Sequence, residues 1–192
     1  MNQQSDQLPV GSLAQLIEHC TSIAGGHGFK SRIRKQISVY FTDRWQKQNT
    51  APVCFGAKNG RCGRFNVKTG QKLAAVKLVH LYGYVSCDTR HVSYWSYWGC
   101  GLYGLGKINV VITNLGGQVL LPPHEFIEHH GSKWSKVPGY ESLSSELVLS
   151  FFSPSHVKYN QELRVWYGED LMNAGEADNG GTVCVDVYAI FV

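Results

Sequence analysis

The sequence predicts an all-β protein built as a two-sheet β-sandwich of the jelly-roll or Greek-key type. Aromatic residues make up 12% and charged residues 17% of its 192 residues, and 21 residues are glycine. This composition is typical of short strands joined by tight turns. From Pro52 onward, apolar residues recur with a period of two or in short runs. Turns rich in glycine, asparagine and proline separate these runs, so residues 52–192 are expected to form one sandwich domain.

The apolar runs define seven candidate strands. These are Arg64–Val67, Leu73–Ser86, Ile108–Thr113, Gln118–Leu121, Glu146–Phe152, Glu162–Tyr167 and Thr182–Phe191. The stretch from Asn114 to Gly117 is predicted to be a tight hairpin turn. Prolines at 122, 123, 138 and 154 punctuate the later part of the chain. The long connection 122–144 suits a crossover between the two sheets.

The first 51 residues do not share this pattern. DNA encoding Ala14–Glu18 and Gly28–Arg32 resembles the two internal promoter blocks of a transfer-RNA gene, in order and at a plausible separation. Residues 1–35 therefore look like a translated transfer-RNA gene. We expect them to be poorly structured and the true upstream exon, with a signal peptide, to be missing. The alternative is a genuine short helix with Ser12 as its N-cap. Residues 36–51 are interpreted as a linker or an edge strand.

The charge and hydropathy of the chain argue against two classes of partner. The net charge is +4, and residues 1–35 contribute about half of it, from Lys30, Arg32, Arg34 and Lys35 against two acidic residues. The weak excess that remains does not indicate nucleic-acid binding, which favours a basic face or stripe. No apolar run approaches the roughly 18 residues needed to cross a bilayer, so no membrane insertion is expected.

The six cysteines indicate disulfides and an extracellular location. No C-x-x-C pair is present, so disulfides are favoured over zinc. Cys87 with Cys100 would close a short loop, and Cys54 with Cys184 would join the first strand region to the last. Cys62 is then the candidate free thiol, although pairing of Cys54 with Cys62 stays open.

An aromatic loop lies between Cys87 and Cys100. Its four large rings are Tyr94, Trp95, Tyr97 and Trp98. Tyrosine and tryptophan offer flat faces with a polar handle, which suit the C–H faces and hydroxyls of sugars. These residues, together with Tyr167, are the candidate ligand-binding residues. The alternative is that at least two of the rings belong to the core.

An acidic stretch follows Tyr167. Its candidate metal ligands are Glu169, Asp170, Glu176, Asp178 and Asn179. Calcium prefers six to eight oxygen ligands from carboxylates, amides and backbone carbonyls, and glycines in this stretch allow the backbone to turn inward. The sequence therefore predicts a calcium site here. The alternative is a solvated hairpin loop with Asn179–Gly180 as its turn.

Motifs for catalysis are weak. The chain has no G-x-S-x-G and no glycine-rich loop ending in Lys-Ser/Thr. The stretch 124–130 resembles the zinc motif H-E-x-x-H, but His124 and His129 are five residues apart and Glu128 occupies the required histidine position. We therefore expect a protein that is not an enzyme. A glycan-active hydrolase built on an acidic pair such as Glu169 with Asp178 is the least favoured alternative.

Three segments carry a resemblance to known proteins. The runs Lys77–Cys87, Tyr97–Cys100 and Leu163–Tyr188 resemble an uncharacterised extracellular β-rich domain of marine invertebrates, over about residues 52–192. The closing hairpin is also similar to that of galactose-binding-like jelly-roll lectins, in which a loop of the form Asp-Asn-x-Gly binds calcium. This resemblance implies a lectin-like module with calcium near Asp178.

These observations together predict a secreted binding module for a glycan or an extracellular matrix component. Calcium in the acidic stretch would bridge the protein to the sugar, and the aromatic loop would provide stacking platforms. The alternative is a structural or matrix domain without a small ligand, in which the aromatic rings are core or protein contacts.

Overall fold

The computed structural model of the protein describes residues 45–192, which contain eleven strands, one short helix and four 3₁₀ turns. The strands are β1 (Gln46–Lys47), β2 (Val53–Gly56), β3 (Gly63–Asn66), β4 (Lys72–Ser86), β5 (Val110–Asn114), β6 (Val119–Leu121), β7 (Ile127–His129), β8 (Trp134–Ser135), β9 (Glu146–His156), β10 (Glu162–Tyr167) and β11 (Gly180–Phe191). The helix is α1 (Gly168–Met172), and the 3₁₀ turns are Val92–Tyr94, Gly101–Tyr103, His124–Phe126 and Glu176–Asp178. The predictions for residues 1–35, and for the part of 36–51 that precedes Trp45, lie outside the described residues.

Two antiparallel sheets pack face to face. The first joins β1, β11, β4 and β9 in that order, and β2 also pairs with β11; the second joins β3, β10, β5 and β6. Their inward side chains form one core, with Val76 and Leu78 from the first sheet and Ile112 and Val165 from the second. The chain passes between the sheets from β9 to β10 and back to β11. The predicted all-β class and two-sheet sandwich are confirmed.

Most strands lie where the apolar periodicity predicts them. Strand β10 has the predicted bounds, and β4 and β11 start slightly earlier than predicted. The predicted hairpin between β5 and β6 is confirmed: the Gly117 amide donates to the Asn114 carbonyl at 3.1 Å. Strand β2 was not predicted from sequence, because four residues are too few to show a clear alternation.

Strand β9 is longer than predicted. It continues past Phe152 to His156 and includes Pro154, although the sequence predicts that this proline lies between strands. The register explains the difference: Leu73 of β4 pairs with Ser155, whereas Ala75 pairs with Ser150, so the residues between bulge out of the ladder. Proline is tolerated here because β9 is an edge strand and the bulge removes the need for its missing N–H.

The long connection 122–144 crosses between the sheets, as predicted. It leads from β6 in the second sheet to β9 in the first. It also contains a two-stranded ribbon of β7 and β8 that the sequence does not predict, because these strands have three and two residues. The ribbon places Trp134 close to the end of β10, where α1 begins.

Two disulfides join the described residues. Cys54 bonds to Cys184, its partner across the β2–β11 ladder. Cys87 bonds to Cys100 and closes the loop that follows β4. Both predicted pairs are confirmed, and among the cysteines of residues 45–192 Cys62 has a free thiol. None of the helices within residues 45–192 is long or apolar enough to span a membrane.

Candidate functional site

The predicted aromatic residues do not form one surface. Trp98 and Tyr167 have no exposed surface and belong to the core. The Trp98 indole Nε1 donates to the Ser144 carbonyl at 2.7 Å, and the Tyr167 hydroxyl donates to the Gly99 carbonyl at 3.1 Å. Their polar groups are therefore satisfied inside the protein, as buried aromatic groups require. Neither ring has a face open to a ligand in this structure.

The other three predicted rings are partly exposed, and each contacts a different partner. Tyr97 stacks on His80, with ring centroids 3.7 Å apart. Tyr94 packs edge-on against His91 at 5.0 Å. Trp95 lies over the first residues of β11: a Cβ atom added to Gly181 would come within 2.6 Å of its ring. Of these rings, Trp95 is therefore the one placed beside the acidic stretch, residues 168–179.

The acidic stretch begins with a buried carboxylate. Glu169 is 5% exposed and lies in α1, whose first turn is held by Asn109: the Glu169 amide donates to the Asn109 Oδ1 at 3.0 Å. Its carboxylate accepts hydrogen bonds from the Trp134 Nε1 at 3.0 Å and the Asn179 Nδ2 at 2.9 Å. Burial raises the pKa of Glu169, while these two donors partly offset the increase.

Two other predicted ligands hold the turn between β2 and β3. The Asp170 carboxylate accepts from the Gly60 amide at 2.7 Å and the Arg61 amide at 2.9 Å, and the Glu176 carboxylate accepts from the Asn59 amide at 3.1 Å. Burial, and then the neighbouring Glu176 carboxyl, raise the pKa of Asp170. The acidic stretch is therefore packed onto the β2–β3 turn. Because it begins with a helix, it is not the simple hairpin loop that was the alternative interpretation of the sequence.

The acidic stretch also contacts the disulfide loop, residues 87–100. The Thr89 amide donates to the Asp178 carbonyl at 3.0 Å. The Arg90 guanidinium lies between Asp88, to which its Nε donates at 2.9 Å, and Asp178, at 3.9 Å. Hydrogen bonds from Arg90 lower the pKa of Asp88 to about 2. The two segments that the sequence marks as functional thus meet at one edge of the sandwich.

Four residues at this edge were not predicted from sequence. Asp88 and Arg90 form the ion pair just described, and Trp134 holds Glu169. Tyr103 is 53% exposed, and its ring packs edge-on against Trp134 at a centroid distance of 4.7 Å. The position of Tyr103 just after an aromatic, cysteine-bounded loop was a usable signal. No local pattern marks Trp134, because its role depends on a contact with Glu169, 35 positions away.

We call this part of the edge, with its exposed residues and the buried residues that hold them, the rim. The rim consists of Asp88, Arg90, Trp95, Tyr103, Trp134, Glu169, Asp178 and Asn179. It combines an exposed aromatic ring, carboxylates of differing burial and one guanidinium. Such a set can offer a flat apolar face and hydrogen-bond acceptors to the same ligand.

The rim is not a preformed cage for a metal ion. Among residues 45–192, no group of three or more histidine, cysteine, aspartate or glutamate side chains is arranged to hold a metal. One feature does offer a free oxygen: the Oδ1 of Asn179, a residue with no exposed surface, has no hydrogen-bond partner in the described structure. Calcium binding by the five predicted ligands stays a prediction.

A second concavity lies on the connection between the sheets. It has a volume of about 760 Å³, and its lining includes Phe126, Val137 and Tyr140 together with Glu125 and Glu141. It contains none of the predicted site residues. Its carboxylates lie around an open groove, and the described structure places no unpaired buried polar group in its lining.

Comparison with known proteins identifies the family. No protein-family model matches the chain, and no curated protein matches it. The solved structure of AJLec, a lectin from the sea anemone Anthopleura japonica, is similar to the protein with a TM-score of 0.71 and 39% sequence identity. The match covers 77% of this chain and 97% of AJLec. In agreement with the lectin-like, marine-invertebrate resemblance of the sequence, the chain belongs to the family of the sea anemone lectin AJLec.

Proposed function

We propose that the protein is a secreted carbohydrate-binding module and that its ligand site is the rim. The observation that carries the proposal is its family membership: a lectin is covered over 97% of its length at 39% identity. The rim supports the location of the site, because it brings the two segments with sugar-binding chemistry into contact. The two disulfides, Cys54–Cys184 and Cys87–Cys100, support an extracellular location.

The open carboxylate of the rim belongs to Asp178. Its side chain is 51% exposed, whereas Glu169 and Asp88 are almost fully buried. Vicinal sugar hydroxyls can donate to the Asp178 oxygens and accept from the nearby Arg90 guanidinium. The buried Glu169 then acts as an internal anchor that keeps the rim rigid. This arrangement suits binding rather than catalysis, in keeping with a lectin relative.

The second part of the proposal is that glycan binding depends on calcium. Two observations support it: the Asp170 and Glu176 carboxyls lie side by side, and the Asn179 Oδ1 is buried without a partner. A bound cation would relieve the repulsion between the Asp170 and Glu176 carboxylates, and it would give the Asn179 Oδ1 a partner. Main-chain carbonyls, waters and sugar hydroxyls would supply the remaining oxygens, since few charged ligands converge here.

The test is a glycan array probed with the full chain in calcium and in excess chelator. We expect binding to a defined group of glycans, and loss of that binding in chelator. The Asp178→Asn variant should bind its best glycan about tenfold more weakly, a change of about 1.4 kcal/mol. Glu146→Gln is the matched control, since Glu146 is a surface carboxylate on β9 that pairs with Lys77.

The possible outcomes separate the two parts of the proposal. Binding that persists unchanged in chelator would contradict the calcium part alone. Absence of binding to every glycan would contradict the carbohydrate-binding function itself. An equal loss of affinity in Glu146→Gln and Asp178→Asn would contradict the assignment of the glycan site to the rim.

A further inference from the structure

Tyr103 occupies an unusual position for a tyrosine. It ends the 3₁₀ turn Gly101–Tyr103 with 53% of its surface exposed, yet its ring is held against Trp134 at 4.7 Å with an interplanar angle of 60°. Burial, and then the carboxylates of Glu169, Asp178 and Asp88, raise the pKa of Tyr103. Its hydroxyl therefore lies in the electrostatic field of the acidic side of the rim.

Trp134 links this ring to the buried carboxylate. Its indole is 7% exposed; it donates from Nε1 to the Glu169 carboxylate at 3.0 Å and contacts the Tyr167 ring at a centroid distance of 6.2 Å. One buried side chain thus holds both the exposed ring of Tyr103 and the internal anchor Glu169. A ligand that binds there loses little entropy in ordering the protein, since both groups are already positioned.

The other aromatic residues of this region are less available. Trp98 and Tyr167 are completely buried, and Tyr97 is covered on one face by His80. Trp95 lies over the glycines that start β11. Tyr94 packs edge-on against His91. Among the aromatic residues of the rim, Tyr103 is the one with more than half of its surface exposed, and it packs on Trp134, which donates to Glu169.

We propose that a pyranose ring stacks on Tyr103 and that Trp134 is the positioning residue that holds Tyr103 for it. This inference rests on the proposed function and specifies its ligand: a saccharide that turns a C–H face to Tyr103 and hydroxyls to Asp178. An aromatic ring interacts with such a face through its flat apolar surface, so the ring matters more than its hydroxyl.

The first test compares variants at position 103. For the glycan that wild type binds best, isothermal titration calorimetry should show affinity within about threefold for Tyr103→Phe and a loss of about tenfold or more for Tyr103→Leu, which keeps apolar bulk without a flat face. Tyr159→Ala is the control, since Tyr159 is 76% exposed on the turn between β9 and β10. Melting curves establish that each variant is folded.

The second test concerns Trp134. Trp134→Leu removes the ring that packs against Tyr103, whereas Trp134→Phe keeps a ring there. Binding of the best glycan should weaken about tenfold in Trp134→Leu and stay within about threefold of wild type in Trp134→Phe. A merely structural role would lower the melting temperature of both variants without separating their affinities.

The outcomes distinguish this inference from the proposed function. A wild-type protein that binds no glycan would overturn both. Wild-type binding that Tyr103→Leu matches within twofold would overturn the stacking role alone. Equal affinities of Trp134→Leu and Trp134→Phe for that glycan would overturn the positioning role.

Discussion

Asp88 shows how one ion pair shapes the rim. Its side chain is 2% exposed, whereas that of Arg90 is 73% exposed. Arg90 therefore reaches over the carboxylate from the solvent side and carries its charge to the surface near Asp178. The folded-state pKa of Asp88, about 2, is below the value near 3.9 expected in an unfolded chain. The ion pair thus stabilises the folded state fully above the unfolded pKa, and this contribution is lost as the pH falls through about 2.

We predict that Arg90→Gln lowers the melting temperature at neutral pH. In this variant, the stability that ionised Asp88 contributes should also be lost at a higher pH than in wild type. The reason is that the variant leaves a buried carboxylate with fewer donors. Circular dichroism melts across the acidic range measure both effects. Arg164→Gln is the control, because Arg164 pairs with Glu162 on β10, away from the rim. An acid profile of Arg90→Gln that overlays the wild-type profile would contradict the assignment.

At the scale of elements, the acidic stretch and β11 depend on glycine at one position. Gly181 has a φ of +91°, in the left-handed region, and lies between the Tyr84 carbonyl and the Trp95 ring. A side chain there would contact both groups. The close approach of β4, the disulfide loop and the start of β11 therefore requires a glycine, and this approach places Trp95 beside the acidic stretch.

We predict that Gly181→Ala costs about 3 kcal/mol or more, from backbone strain combined with overpacking. Gly117→Ala is the matched control: Gly117 has a φ of +80°, but nothing lies within 4 Å of an added Cβ. It should cost only about 1 kcal/mol, from backbone strain alone. Urea denaturation measures both values, and an equal cost for the two variants would show that the close approach at Gly181 is absent.

Strands were predictable from sequence where the alternation was long enough to be read. Strand β10 alternates over six residues and has its predicted bounds. The sequence predicts that β9 ends at Phe152, whereas the strand continues past Pro154 to His156, because an edge-strand bulge depends on the pairing partner rather than on the proline itself. The two-residue strand β8 has no periodicity, so Trp134 was not recognised as part of a ribbon that reaches α1.

At the scale of the whole molecule, contacts between distant segments decide the candidate site. The sequence identified the disulfide loop and the acidic stretch separately, from cysteine spacing and from clustered carboxylates. Their contact through Thr89 and Asp178 follows from the pairing of β4 with β11, which places the two loops at the same edge. Burial of Trp98 and Tyr167 follows from which faces the sandwich turns inward, and residue type alone does not determine that.

The central claim is that a glycan binds at the rim, and the indole N–H signals of the five tryptophans report on it directly. In a two-dimensional ¹H–¹⁵N spectrum, Trp95 and Trp134 mark the rim, while Trp98 and Trp166 donate to Ser144 and Thr113 elsewhere. Titration with the best glycan should shift the signals of Trp95 and Trp134 and leave those of Trp98 and Trp166 in place. Trp95 and Trp134 signals that both stay fixed while the protein binds the glycan would contradict the claim.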